Sequence, residues 1–128
     1  RNTPGAIGYI NQSYIKGEIK AAALQNLSGE FMLPTTQAGA VTLNEIQLDK
    51  NLAGQNPNPK AKGAYPIATL TWILAYETGN DRNTKAIQDS LNYLLSDKAQ
   101  EKAPSLGFVP LRGDILEKSR AAVKRIGN

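Results

Sequence analysis

The side chains available for chemistry in this chain are carboxylates, amines, hydroxyls and amides, because it contains no His and no Cys. The lack of His removes the commonest general base and the commonest metal ligand. The lack of Cys removes disulfides and thiolate metal sites. An acid–base mechanism would then need paired carboxylates or a lysine of depressed pKa. Glu77, Asp81, Asp89, Asp97 and Glu101 are scattered, and their pattern places them on helix surfaces or in loops, where carboxylates are ordinarily solvated. A Ser-His-Asp triad is excluded for want of His, whereas a Ser–Lys pair stays open. The glycine-rich phosphate loops of the Walker and dinucleotide types are not present in the sequence. These residues point away from an enzyme, with no catalytic residue, metal ligand or cofactor to assign.

Binding of an anion is the remaining chemistry to weigh. A helix N-terminus holds phosphate through free backbone amides, and Thr35-Thr36 and Ser96 offer such ends. Asp97 sits inside the second and would repel an anion, and neither end has an Arg fork beside it in sequence. The net charge is +4, from 15 basic and 11 acidic residues. Six basic face four acidic residues before Gly63, and nine face seven from there on, so neither half carries a basic block for nucleic acid or lipid. Two Phe and one Trp leave little for base stacking, and nucleic acid is not an expected partner. Tyr65 and Trp72 could line a pocket, but aromatics in a long apolar stretch belong to a core. Arg112-Gly113-Asp114 spells an adhesion tripeptide, and chance is the stronger reading because Asp114 can cap a helix there. Asn11-Gln12-Ser13 and Asn26-Leu27-Ser28 match the glycosylation pattern, which matters only in a eukaryotic secretory setting.

The elements that would position such groups follow from apolar spacing. With 128 residues, 41% of them hydrophobic and 20% charged, the chain is an ordinary globular one. Ala6 to Ile10 is a short apolar run bounded by Pro4-Gly5 and Asn11, which predicts a buried strand. Ile19 to Leu24 is a second candidate strand, with helix as a competitor because of its alanines. Pro34 followed by Thr35-Thr36 predicts a capped helix carrying Ala40, Leu43 and Ile46-Gln47, weakened by Gly39 and Thr42. Two Asn-Pro steps at 56–59 mark residues 51–62 as a linker. Residues 65–76 form a long apolar stretch, suited to a strand passing between lobes. Three helices are expected after Thr84. The first carries the stripe Ile87, Leu91, Leu94 and Leu95. The second is capped by Ser96 and ends before Pro104. The third starts on a capping box of Asp114 and Glu117, buries Ile115, Leu116, Ser119, Ala122, Val123 and Ile126, and has Lys124 and Arg125 in its last turn. No run of about 20 apolar residues is present to span a bilayer.

Three blocks stand in order along the chain: Thr3-Pro4-Gly5-Ala6-Ile7-Gly8-Tyr9-Ile10, then Lys62-Gly63-Ala64-Tyr65-Pro66-Ile67 running into Ala68 to Leu74, then Leu106-Gly107-Phe108-Val109-Pro110-Leu111 before an amphipathic helix. Taken together they resemble the C-terminal portion of the periplasmic phosphate-binding proteins of bacterial phosphate ABC transporters. Sulfate- and molybdate-binding proteins of related fold fit the last two blocks less well.

The resemblance implies an α/β chain, part of a two-lobed periplasmic-binding-protein fold, with short strands in the first half and a long crossover strand and three helices in the second. It implies that residues 1–62 are the end of the second lobe, with the linker at about 51–62. Residues 63–128 would then be the return strand and terminal helices of the first lobe. The family's phosphate ligands are Ser and Thr hydroxyls, backbone amides, an Asp and an Arg-Ser-Gly-Thr-type loop. All lie upstream of the matched part, so no residue of this chain is carried over as a ligand. The implied partners are inorganic phosphate, bound by the parent protein, and the membrane subunits of an ABC transporter. The implied setting is periplasmic or cell-envelope. The chain opens on Arg1-Asn2-Thr3 without an initiating Met, as expected of a fragment. Late strands without their neighbours would expose edges, so self-association or exchange of residues 65–76 between copies is expected of the chain alone. The alternative is a short interaction module of the same fold, without a ligand cleft.

Overall fold

The computed structural model describes residues 3–127; Arg1 and Asn2, which open the chain, and Asn128 lie outside the described residues. Two short strands, β1 (Leu24–Gln25) and β2 (Phe31–Met32), come first, followed by helix α1 (Thr36–Asn44). A long irregular stretch leads to α2 (Thr84–Leu94), α3 (Asp97–Lys102) and α4 (Gly113–Val123), and short 3-10 turns flank several of these elements. The architecture is mixed helix with one two-stranded sheet among the described residues, compatible with part of an α/β protein.

The sheet is a hairpin with Leu24 opposite Met32 and Gln25 opposite Phe31. Its turn closes through two backbone bonds of 3.0 Å, from the Asn26 N–H to the Glu30 carbonyl and from the Gly29 N–H to the Asn26 carbonyl. Gly29 takes φ +85°, a left-handed conformation that favours glycine.

α1 forms where the Pro34-Thr35 signal places it. Thr35 is extended, and its hydroxyl accepts from the Ala38 N–H at 3.1 Å, satisfying one of the amides a helix start leaves free. The helix stops at Asn44, short of the expected Ile46-Gln47. Ile46 is nonetheless buried, held by its N–H to the Leu43 carbonyl at 3.1 Å. Gly39 and Thr42, the residues that weaken the helix locally, are both buried. A Cβ on Gly39 would lie 2.7 Å from Val109 Cγ2, so only glycine lets α1 close on residue 109 without a shift. Thr42 is wholly buried, and its hydroxyl donates to the Tyr65 carbonyl at 2.7 Å.

The core joins Leu43, Ile46 and Ile115, with Leu48, Leu70, Val109 and Leu111 packed against it. α4 contributes Ile115, Leu116 and Val123, and Ile126 just beyond it is also buried; Ser119 and Ala122 are half-buried, as the stripe predicts. Burying each Ile, Leu or Val of this face stabilises the fold by about 1.5–3 kcal/mol. Ile87 and Leu91 of α2, and Leu95 just past its end, are half-covered against α4 and α3, while Leu94 is exposed.

Several expectations are corrected. Ala6 to Ile10 has no regular structure and is exposed along its length. A strand is buried by the ladder and layer beside it, and among the described residues nothing pairs with this run. Of Ile19 to Leu24, only Leu24 enters the sheet. The long strand at 65–76 is neither helix nor ladder, and residues 71–76 are all exposed. The short strands expected in the first half and the crossover strand expected in the second thus reduce to one hairpin among the described residues. α4 begins two residues earlier than a capping box on Asp114 requires, with Arg112 at the cap position and no side-chain cap bond. Asp114 therefore lies inside the first turn and pairs with Lys118 at 2.8 Å, while Glu117 pairs with Arg120. Lys124 is the residue after the helix rather than in its last turn, and Arg125, beyond it, reaches Glu77 at 2.7 Å.

Candidate functional site

Each place that could hold an anion is now fixed by geometry. At the start of α1, the Thr35 hydroxyl already occupies the Ala38 amide, and the Gly39 N–H bonds the Thr35 carbonyl at 2.9 Å. The start of α3 is capped in the same way, by Ser96 accepting from the Ala99 N–H at 3.3 Å. An Arg fork does stand beside this second end, although the sequence shows none nearby. Arg120, on α4, donates to the Leu95 carbonyl through Nη2 at 2.8 Å and Nε at 3.1 Å, and to Asp97 at 2.8 Å and Glu117 at 3.0 Å. The hydrogen bond to Asp97 is the main cause that holds its guanidinium above the ordinary value. This fork is spent on two carboxylates and the carbonyl that ends α2, so it ties helices together rather than waiting for an anion.

Two concavities among the described residues bear on ligand binding. A cavity of about 90 Å³ lies between α1 and α4, walled by Leu43, Leu111 and Ile115 with Asn44 and Arg112 among its lining residues. Pockets for small ligands run to about 300–1,000 Å³, so this one is too small for a substrate-sized guest. An open depression of about 360 Å³ is lined by Ala53, Gly54, Gln55 and Trp72. Trp72 is half-exposed there, with its indole N–H donating to the Leu52 carbonyl at 2.8 Å. Tyr65 lies away from it, half-buried, with burial pushing its phenol above the ordinary value of 10.0. The structure thus does not bring the two aromatics into one pocket.

The carboxylates singled out by sequence do not converge. Glu77, Asp81, Asp89, Asp97 and Glu101 are all exposed, and among the described residues no group of three or more acidic side chains is placed to hold a metal. Arg112, Gly113 and Asp114 are exposed as well, with Asp114 engaged by Lys118.

The polar cluster that sequence reasoning missed lies around Asn26. This side chain is buried, and its carbonyl oxygen accepts from the Ser28 N–H at 3.0 Å, the Ser28 hydroxyl at 2.7 Å and the Glu30 N–H at 3.1 Å. Its amide donates to the carbonyls of Ala64 at 3.0 Å and Ala61 at 3.4 Å. Asn26-Leu27-Ser28 is the same tripeptide that matches the glycosylation pattern. The signal that could have found its real role is turn chemistry, an Asn whose side chain bonds the backbone two residues on. The cluster satisfies its own polar atoms, and among the described residues no buried side-chain nitrogen or oxygen lacks a partner.

No family model matches the chain. A phosphate-binding protein, PstS, of Methanocaldococcus jannaschii is 28% identical over 140 residues, an alignment that takes in 98% of this chain. The chain spans 36% of the length of that relative. The relationship to phosphate-binding proteins is therefore distant, and it extends along nearly the whole chain.

Proposed function

We propose that this chain is the C-terminal portion of a periplasmic phosphate-binding protein that delivers inorganic phosphate to the membrane subunits of an ABC transporter. The observation that carries the proposal is the alignment with a phosphate-binding protein over 98% of the chain but 36% of the relative. A second feature supports it. Ile7, Tyr9, Ile67, Ile73, Leu74 and Tyr76 are large apolar side chains left in solvent, and apolar segments of this kind suit strands whose neighbours lie in another part of a larger fold.

On this reading the phosphate ligands lie upstream, and the division falls near residue 62, with the end of one lobe before it and the return strand and terminal helices of the other after it. The setting is the periplasm or cell envelope. No helix among the described residues is long and apolar enough to cross a membrane, which is compatible with that setting. A protein of this kind binds and releases its anion without chemical change.

Tight capture of an oxyanion takes several convergent donors. The one multidentate guanidinium described above, Arg120, is already engaged by Asp97 and Glu117. Titration calorimetry with inorganic phosphate tests the proposal on two proteins, the isolated chain and the longer protein encoded by its gene. Saturable binding by the longer protein and none by the isolated chain is expected. A micromolar isotherm from the isolated chain would overturn the placement of the ligands upstream, and a gene that encodes only these residues would overturn the parent protein itself. The exposed apolar segments also favour the second reading, a short interaction module, and that gene boundary separates the two.

A further inference from the structure

The stretch from Asn56 to Tyr65, with its two Asn-Pro steps, has the composition of a free linker. Its bonds are those of an anchored element. Glu45, just past the end of α1, accepts through Oε2 from the Lys60 N–H at 3.0 Å and from the Asn56 side-chain amide at 3.2 Å. Glu30, on the hairpin turn, accepts through Oε2 from the Gly63 N–H at 2.6 Å and from the Ser28 hydroxyl at 3.2 Å. Between these two points Pro59 is buried and its carbonyl accepts from the Leu27 N–H at 3.3 Å. Asn26 holds the carbonyls of Ala61 and Ala64, and Ala64 is wholly buried. At the far end the Tyr65 N–H donates to the Ala38 carbonyl at 3.2 Å, and Thr42 holds the Tyr65 carbonyl. Contacts that span 11 to 38 positions in sequence thus fix the stretch from both sides.

Two of these acceptors are carboxylates bonding backbone amides. Charge-assisted bonds of this kind are shorter and about twice as strong as neutral ones. A backbone segment without a ladder or helix must find such partners or remain solvated.

We infer that residues 56–65 are a strap latched by Glu30 and Glu45 onto the hairpin and α1, so that the chain bends beyond Pro66 and not within the Asn-Pro stretch. The joint then falls in residues 67–76, which lack ladder partners and are mostly exposed. The strap carries the Gly63-Ala64-Tyr65 block as one piece with the first half of the chain. Within residues 67–76, Leu70 packs against the core and the Trp72 indole N–H donates to the Leu52 carbonyl.

Amide-resolved hydrogen exchange on the 128-residue chain tests this, with Glu30→Ala, Glu30→Gln, Glu45→Gln and, as a control at an exposed position, Glu18→Gln. In the unaltered chain the Lys60 and Gly63 amides should exchange at least about tenfold more slowly than those of Ile73 and Leu74, the difference a hydrogen bond to a charged acceptor gives. Glu30→Ala should erase the protection at Gly63, Glu30→Gln should reduce it, and Glu45→Gln should act at Lys60, with the α2 amides unchanged throughout. Equal rates at Gly63 and Leu74 in the unaltered chain would overturn the strap. So would protection at Lys60 and Gly63 that survives every Glu30 and Glu45 variant. Should Glu30→Ala unfold the whole chain, the unaltered chain and the two Gln variants still decide the matter.

Discussion

Residues 56–66 and 67–76 are consecutive, and their environments run opposite to their compositions. The first is built of Asn, Pro, Lys and Gly, yet it contains the buried Pro59, Ala64 and Pro66 and is bonded at both ends. The second holds Ile67, Leu70, Trp72, Ile73 and Leu74, yet Leu74 is 95% exposed and only Ala68 and Leu70 are half-buried. Burial follows from the partners a segment finds rather than from its own apolar content. The polar stretch meets two carboxylates and an Asn that match its amides and carbonyls, while the apolar one meets no ladder among the described residues.

The comparison sharpens with substitution. Leu43→Ala, in the core beside Ile115, should destabilise the fold by about 2–5 kcal/mol in chemical denaturation. Leu74→Ala should change it by no more than about 0.5 kcal/mol, as expected of a surface position. Equal effects of the two would break the contrast between the packed core and the bare segment.

Thr42→Val keeps the shape of a buried side chain but leaves the Tyr65 carbonyl without its hydroxyl donor. The expected loss is about 1–3 kcal/mol in the same measurement, and it reports on the strap's attachment to α1. A neutral result would mean that the strap's end is held by the Tyr65 N–H to Ala38 bond alone. Thr35→Ala removes the α1 cap and should cost about 0.5–2 kcal/mol, with loss of helical circular dichroism confined to a fraction of the signal. A larger collapse would mean that α1 owes its stability to the cap and not to its packed face.

The parts of this fold that were legible in sequence are those decided within a few residues. Thr35 and Ser96 cap the helices they precede, and the stripe of Ile115, Leu116, Val123 and Ile126 is buried as its spacing predicts. The α4 start differs from that expectation by two residues because Gly113, at φ +54°, is taken into the helix and the cap position falls on Arg112. Strands were illegible for a different reason. Ala6 to Ile10 and residues 67–76 have strand composition, but a ladder needs a second strand that no local pattern supplies. The tie from Glu45 to Lys60 and that from Glu30 to Gly63 cross 15 and 33 positions with no periodicity to mark them. Arg120 beside Asp97 was hidden in the same way, by a separation of 23 positions.

Hydrogen exchange over residues 67–76 in two contexts tests most directly whether the bare region is an interface with the rest of a phosphate-binding protein. The account predicts rapid exchange at Ile73, Leu74 and Tyr76 in the isolated chain and slowing by about two orders of magnitude or more in the longer protein, where ladder bonds would form. Rates that are the same in both, or amides already protected in the isolated chain, would contradict it.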